Sequence, residues 1–392
     1  MLQSCYLAFK YITFHRGRSL VLIFSLGIIL YLPNGLRRLI HESEAQIISR
    51  AKSTPLIVGA KGSATDLVIN TLYFKQEKIE SIPMKSMEQI QALGFGNAIP
   101  IACMFTARGF PLVGTDLGYF DFRKLTIASG RQLAFVGECV LGSALAERLS
   151  LSVGDSLISD SENFIDIAGV YPLKMNVVGI LNPSDSHDDQ AIFVDLKTNW
   201  VIMGLGHGHE DLTKNYDQNI VIERDSDEVK AGAKLFLYNS ISAENMDSFH
   251  FHGELGNYPL TSFIVIPSDH KAETILLGRF ASGEFDEQIV VPEDVVNTWL
   301  KSIFRIKQLF DSMFLLVGLA TILILILIVT LSVRLRQHEI YTMFTIGSSR
   351  LKVVEIITLE MGMLILVSLV FAGILYSLTG IFVDHFINQF IL

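Results

Sequence analysis

The sequence predicts an α-helical membrane protein that carries a large α+β domain outside the bilayer. Three observations predict it. Two long apolar runs lie near the C-terminus, a shorter one lies near the N-terminus, and the polar stretch between them is punctuated by short β-branched segments. A hydrocarbon core roughly 30 Å thick needs about 20 apolar residues at 1.5 Å rise each. Phe310–Val333 meets this with one charge, Asp311, at its edge, and Met361–Val383 meets it with none. Only 18% of residues are charged and the mean hydropathy is +0.43, whereas soluble domains are about 25% charged.

The elements follow in order. Residues 1–18 form an N-terminal segment. Residues 19–36 form the first span, shorter than the others, with Pro33-Asn34 near its end; no small-x-small cleavage site follows, which marks an uncleaved anchor. Residues 37–54 continue as an amphipathic helix, because Leu36, Leu39, Ile40, Ile47, Ile48 and Ala51 recur at three- and four-residue steps until Pro55. Residues 55–291 form the α+β domain. Pro55–Gly59, Phe135–Leu141, Asn176–Ile180, Ala191–Val194, Asn219–Ile222 and Ser262–Ile266 have strand composition. Ser143–Leu149 is a short helix leading to a Gly154-Asp155 turn, while Ser242–Leu260 gives no clear pattern.

Pro292 opens a second amphipathic helix over 292–309, where Val295, Val296, Trp299, Leu300, Ile303 and Ile306 share one face. The two amphipathic helices are expected to act as a stalk, each burying its apolar stripe against the other or against a partner subunit. The second span, 310–333, follows without a break. After it come a loop over 334–352, the third span over 353–383 and a tail over 384–392, too short for another crossing.

Basic residues set the expected orientation. Lys10, Arg16 and Arg18 precede the first span, and Arg334, Arg336, Arg350 and Lys352 lie between the second and third. Arg37, Arg38, Lys301, Arg305 and Lys307 vote the other way, but short loops weigh most. The N-terminus and the 334–352 loop are therefore placed in the cytoplasm, with 37–308 and the C-terminal tail external. The net charge of −9 arises mainly from the external region and argues against a nucleic-acid partner. Of three cysteines, Cys103 and Cys139 fall outside, where one disulfide can form, and Cys5 falls inside.

Three stretches carry a resemblance to a known family: VLGSALAERLSLSVGDSLI (Val140–Ile158), MNVVGILNPSDSHDDQAIFVDLKTNW (Met175–Trp200) and RLRQHEIYTMFTIGSSRLKVVEIITLE (Arg334–Glu360). In order and spacing they are similar to the permease subunits of MacB/LolC/FtsX-type (type VII) ABC transporters. The resemblance implies a MacB-like periplasmic core domain on helical stalks. It also implies a multi-pass protein of the bacterial inner membrane, with a cytoplasmic N-terminus and a periplasmic domain. A separate cytoplasmic ATPase would bind ATP and Mg²⁺, and its closure would move the periplasmic domain (mechanotransmission), so that substrate is exported or extracted on the outer side.

The residues that the resemblance assigns to ATPase coupling are Arg336, Glu339, Ile340, Met343, Phe344, Gly347, Ser348, Ser349 and Arg350. Gly347 has the place of a C-cap and Ser348 or Ser349 that of the next N-cap. Other implied partners are a second permease copy or a related permease, a periplasmic protein and the lipid bilayer. Pro55–Phe74 is similar to a subgroup linked to metal handling. Alternatives within reach of the same layout are a lipoprotein-releasing permease and a non-transporting signalling or scaffold module. The family pattern has four spans; three here means a variant or a shortened chain.

No phosphate-binding loop, nucleophile elbow or H-E-x-x-H motif occurs, so the chain itself is expected to be non-catalytic and without a cofactor of its own. His207 and His209, and His250 and His252, form two H-x-H pairs that can hold Zn²⁺ if each lies on a strand. Asp185, His187, Asp188 and Asp189 form a third polar loop. Gly318, Gly362, Ala372, Gly373 and Gly380 offer small surfaces for helix pairing. Glu355 and Glu360 should face protein or the interface.

Overall fold

The computed structural model describes residues 2–77, 79–160, 172–208, 221–224, 229–231, 239–241, 249–251, 253–335 and 337–390. Its helices are α1 (Leu2–Phe14), α2 (Arg16–Lys52), α3 (Ala64–Tyr73), α4 (Met84–Ala92), α5 (Leu117–Arg123) and α6 (Ser143–Leu149), followed by α7 (Leu196–Ile202), α8 (His270–Ala281), α9 (Pro292–Leu335), α10 (Gln337–Thr345) and α11 (Arg350–Phe390). Two compact units emerge, residues 1–46 with 299–391, and residues 47–298.

In the first unit, apolar length makes the helices. Arg16–Leu39 and Arg350–Gly380 are long and apolar enough to cross a bilayer, and Ser312–Ile324 is a shorter apolar stretch among the described residues. The expected second span lies within the unbroken α9. Pro33 does not end α2: the helix passes through it to Lys52, and α11 likewise continues past Val383 to Phe390. The N-terminal segment, read from sequence only as cytoplasmic, contains α1, whose Ser4 and Ala8 are buried while Tyr6, Leu7, Phe9 and Phe14 are exposed.

Helices α2 and α11 run side by side and parallel. Arg18 Nη2 meets Glu360 Oε1 at 3.3 Å, Phe24 lies edge-on to Phe371 at 4.9 Å, and Tyr31 Oη is 2.6 Å from Thr379 Oγ1. Higher up α2, Arg38 Nη1 donates to the Tyr376 carbonyl at 3.2 Å. Glu360 is 1% exposed, so the acid that lipid would penalise faces protein, paired with Arg18 at the start of α2. Glu355 instead pairs with Lys352 at 2.8 Å. Of the small residues expected to mediate pairing, Ala372 is buried, Gly380 packs on the Arg38 guanidinium, and Gly318, Gly362 and Gly373 face open space.

The second unit is built on an 11-stranded mixed sheet among the described residues. Its order is Asn239–Ser240, Leu173–Leu181, Glu138–Leu141, Ile192–Asp195, Phe110–Thr115, Gly96–Ala107, Ser262–Pro267, Leu56–Gly59 and Gln288–Val290. Ile127–Gly130 and Ser156–Ile158 add to the outer edge of Leu173–Leu181. One core gathers Leu112, Leu141, Leu145, Val177, Ile192 and Val194 under α6; the other gathers Leu56, Val58, Ile90, Trp200, Phe263 and Leu276.

Helix α6 has the expected bounds, and Gly154 takes the expected turn with φ of +100°. The longest strand, Gly96–Ala107, was not among the expected ones. It carries Pro100, a residue that disfavours interior strands because it cannot donate to the ladder. Here the ladder to Phe110–Thr115 ends at Ala102 opposite Gly114, short of the proline. The same strand is irregular between Ala102 and Phe105, and side chains absorb the displaced backbone groups. Asn199 Nδ2 donates to Ala102 O at 3.0 Å, Asn70 Nδ2 to Cys103 O at 3.1 Å, and Cys103 N to Thr261 Oγ1 at 3.2 Å. Buried backbone groups are nearly always paired; these polar residues are what make the bulge tolerable.

The disulfide expectation is overturned. Cys103 lies in the bulged strand and Cys139 in Glu138–Leu141, both buried as free thiols, each pushed up to about 12 by burial. Thiolate is the reactive form. A maleimide should therefore modify Cys5 alone in the folded chain and all three cysteines after denaturation; mass spectrometry without reductant checks this.

Candidate functional site

Two places concentrate unusual chemistry. The first is the turn between α10 and α11. Helix α10 ends because Gly347 adopts φ of +93°, a left-handed conformation that costs glycine little. Gly347 N donates to Phe344 O at 3.0 Å and Ser348 N to Met343 O at 2.9 Å, the paired bonds of a Schellman cap. Ser349 then caps α11: Lys352 N donates to its carbonyl at 3.0 Å and to its Oγ at 3.3 Å. The sequence offered Ser348 or Ser349, and hydrogen bonding selects Ser349.

No residue of α10 is buried. Tyr341, Phe344, Ile346, Leu351 and Val354 stand exposed, Ile346 by 79% and Leu351 by 83%. Leu351 and Val354 lie on the stretch long and apolar enough to cross a bilayer, whereas Tyr341, Phe344 and Ile346 are exposed ahead of it, on α10 and its turn, where exposed apolar side chains mark a candidate interaction surface. Ile340 and Met343 are half-buried, and Glu339 sits in the first turn of α10, where a negative charge suits the helix dipole. Arg350 is exposed at the first position of α11, where a cation opposes the dipole, so its charge does not serve the helix. Arg336 lies outside the described residues.

The second place is the C-terminal end of α2. Arg50 is fully enclosed. Its Nη1 and Nη2 donate to Asp188 Oδ2 and Oδ1 at 2.8 and 2.9 Å, and Nη2 also reaches Tyr119 Oη at 3.0 Å. Its Nε donates to the Leu72 carbonyl, and its guanidinium lies 5.4 Å over the Phe74 ring. Tyr119 Oη donates to Asp188 Oδ1 at 2.7 Å, and Ser186 Oγ to Asp188 Oδ2 at 2.9 Å. Around this core, Tyr73 Oη donates to Ile47 O at 2.9 Å, and Arg123 binds Ser53 Oγ and Thr54 Oγ1 at 2.9 and 2.8 Å. The last turn of α2 is thus held by α3, α5 and the 184–190 loop.

Burial opposes charge on both partners, yet each stays ionised. Desolvation would lower Arg50, but Asp188 raises it; desolvation would raise Asp188, but Arg50 holds it well below the usual carboxylate range. His187, stacked edge-on to Tyr73 at 4.8 Å, is pushed down to about 3 by burial and by the Arg50 charge beside it, with Lys75 adding to the effect and Asp188 opposing it. Within the polar loop of Asp185, His187, Asp188 and Asp189, Asp185 is exposed and His187 half-buried. Asp188 and Asp189 are buried, Asp189 accepts from Ser184 N at 2.9 Å, and the loop closes onto α2. Among the described residues no group of three or more metal-binding side chains occurs.

Of the predicted metal ligands, His207 is placed by the backbone of Gly206–Gly208 and His250 by Phe249–Phe251, while His209 and His252 lie outside the described residues. Arg50 was not singled out from the sequence. Its signal was a lone cation on the apolar stripe of α2, beside Ile47 and Ala51.

Comparison with known proteins now bears on identity. Residues 23–234, more than half the chain, match the MacB-like periplasmic core domain. The chain belongs to this family. A Bacillus subtilis relative, the uncharacterized ABC transporter permease YclI, is 26% identical over 241 residues, which is 62% of this chain and 41% of that protein. The chain thus spans less than half of that relative's length.

Among solved structures, the periplasmic region of MacB from Actinobacillus actinomycetemcomitans is 11% identical, with a TM-score of 0.37, covering 65% of this chain and 97% of that one. The extracellular domain of the noncanonic ABC-type transporter YknZ from Gram-positive bacteria is 13% identical, with a TM-score of 0.33, covering 60% and 99%. Arg50, Tyr73, Tyr119, Arg123 and Asp188 all fall inside the MacB-like match, whereas α10, its turn and α11 fall outside it.

Removing one partner of a buried ion pair strands the other, at a cost of about 3–5 kcal/mol. Asp188→Asn and Arg50→Met should each destabilise the purified chain on that scale. Arg50→Met/Asp188→Leu should lose clearly less than the sum, as read from thermal or denaturant unfolding. A histidine held neutral by the fold binds its proton more readily when unfolded, so stability should fall as pH drops below about 6.5, by at most about 1.4 kcal/mol per unit. His187→Phe should flatten that fall between pH 6.5 and 5, while loss of the Asp188 contribution begins only below about 4.

Proposed function

We propose that this chain is the membrane subunit of an ABC transporter, coupling a separate cytoplasmic ATPase to movement of its MacB-like domain. The observation that carries the reading is the exposed apolar patch on the α10–α11 turn, fixed in shape by the Gly347 and Ser349 caps. A surface that transmits force must be rigid and must offer burial to a partner; this one has both properties. The name of the B. subtilis relative, an ABC transporter permease, supports the same reading.

Topology is consistent with it. Because α2 and α11 are parallel, Arg16 and Arg18 lie at the same end of the pair as Arg350 and Lys352. The positive-inside rule assigns that end to the cytoplasm. The last turn of α2 is tied into the α+β domain by the Arg50–Asp188 pair, so force reaching that turn would act on the domain. ATP and Mg²⁺ belong to the ATPase, and this chain does no chemistry. The open surfaces at Gly318, Gly362 and Gly373 suit close approach by a second permease copy. Substrate would be engaged on the outer side, with a periplasmic protein as its recipient or donor.

Phe344→Glu/Ile346→Glu should reduce recovery of the ATPase on purified permease by about tenfold or more, since each buried large side chain contributes about 1.5–3 kcal/mol. Gly347→Pro should abolish coupling, because proline's φ near −65° cannot reproduce +93° and removes the N–H that binds Phe344 O. Equal ATPase recovery by the double variant would overturn the assignment. In a Cys5→Ser background, Ser349→Cys should resist membrane-impermeant maleimide in intact cells; labelling from outside would reverse the topology.

A further inference from the structure

Helix α1 ends where the helix that crosses the bilayer begins, and the two are not collinear. Along one straight helix, residues seven apart are separated by about 10 Å. Ser19 Oγ nevertheless donates to the Ile12 carbonyl at 3.2 Å, and the Arg18 guanidinium lies 5.2 Å over the Tyr11 ring. The chain therefore bends at His15, and α1 leaves the axis of α2. With 13 residues it is about 20 Å long, too short to cross a bilayer.

The pairing of α2 with α11 marks where the bilayer stands relative to this bend. At one end Arg18 meets Glu360. At the other, Arg38 donates to the Tyr376 carbonyl and its guanidinium lies 4.9 Å over the Tyr376 ring. Twenty residues separate the two arginines, a rise of about 30 Å, which is the thickness of a hydrocarbon core. Between them the contacts are neutral, Phe24 with Phe371 and Tyr31 with Thr379. The bend at His15 thus sits at one boundary of that slab, at the end that carries Arg350 and Lys352.

One side of α1 is occupied: Ser4 and Ala8 are buried, and the helix packs on α11. The other side is open. Tyr6, Leu7, Phe9 and Phe14 are each more than half exposed, and all four precede the bilayer-spanning stretch. Lys10 and Arg16 are exposed among them, with the Lys10 ammonium 5.7 Å over the Tyr6 ring. Residues 1–18 contain Lys10, Arg16 and Arg18 and no acid. Exposed rings and cations without acids suit a helix lying in the headgroup region. There the rings reach the acyl boundary and the long cationic side chains reach phosphates.

We propose that α1 is an interfacial anchor on the anionic lipid surface of the cytoplasmic leaflet. Tyr6, Leu7, Phe9 and Phe14 enter the headgroup boundary, and Lys10 and Arg16 meet lipid phosphates. The open face adjoins the bilayer-spanning stretch directly, so the membrane is the surface nearest to it. Its positive charge complements that leaflet. The contact belongs to this chain in a bilayer and does not depend on ATPase coupling.

Fluorescence quenching tests it on the full-length chain. In a Cys5→Ser background Cys103 and Cys139 stay buried, so an added cysteine is the one that labels. Leu7→Cys, Phe9→Cys and Phe14→Cys each carry an environment-sensitive fluorophore in nanodiscs of phosphatidylcholine with phosphatidylglycerol. Lipids spin-labelled near the headgroup should quench these probes at least threefold more than a probe at Lys271→Cys, an exposed position of α8. Aqueous iodide should do the reverse. Omitting phosphatidylglycerol should lower the lipid quenching about twofold, as should Lys10→Gln/Arg16→Gln or about 1 M NaCl, where the Debye length is about 3 Å. Iodide access equal to that at Lys271→Cys would put α1 in water, and shielding from both quenchers would put protein over it. Either result overturns the proposal, and quenching indifferent to phosphatidylglycerol overturns the anionic assignment.

Discussion

Enclosing Arg50 with Asp188 is the constraint around which the α+β unit is arranged. A guanidinium removed from water must find a partner for nearly every donor, and here a carboxylate, a phenol and a main-chain carbonyl supply them from three separate segments. Each segment is consequently tied to the last turn of α2. The Ser186 and Tyr119 hydroxyls satisfy the remaining valences of Asp188, so the pair is fully solvated by protein. A hydrophobic contact at this place would tolerate sliding. A bidentate ion pair does not, because a small displacement exposes unpaired charge in a low-dielectric interior.

The turn at Gly347 solves the opposite problem. The Arg50 cluster hides charge; the α10–α11 turn displays apolar side chains on a capped backbone. Its rigidity comes from the backbone, through the left-handed glycine and the serine cap, and needs no packing from the rest of the chain. In the proposed role such a backbone would need little further ordering on binding. The parallel pairing of α2 with α11, sealed by Arg18 and Glu360, links the helix that follows this turn to the helix whose last turn carries Arg50.

Much of the architecture was legible because it follows from local chemistry. Apolar runs announce membrane helices, Pro292 and Gly347 punctuate helices, and the α6 sequence has one good solution. What was not legible depended on distant residues. Gly96–Ala107 looks unlike a strand, with Pro100 inside it and a bulge after it, until Asn70, Asn199 and Thr261 are seen to accept and donate for its displaced backbone groups. The loop at 185–189 read only as polar; that Asp188 within it is buried against Arg50 was not legible, because no local pattern signals a partner more than a hundred residues away. Cys103 and Cys139 were free to pair on paper and are separated by the strands that bury them.

By itself the sequence determined which segments favour lipid, where helices must stop, and the residue chemistry of the turn, since hydropathy, proline and glycine act over a few residues. Tertiary structure alone decided that Arg50 meets Asp188, that α2 lies parallel to α11, and that Gly206–Gly208 pairs with Phe249–Phe251. Those pairings are set by sheet register and by the need to satisfy buried polar groups. Both conditions exist only once the whole chain has closed on itself.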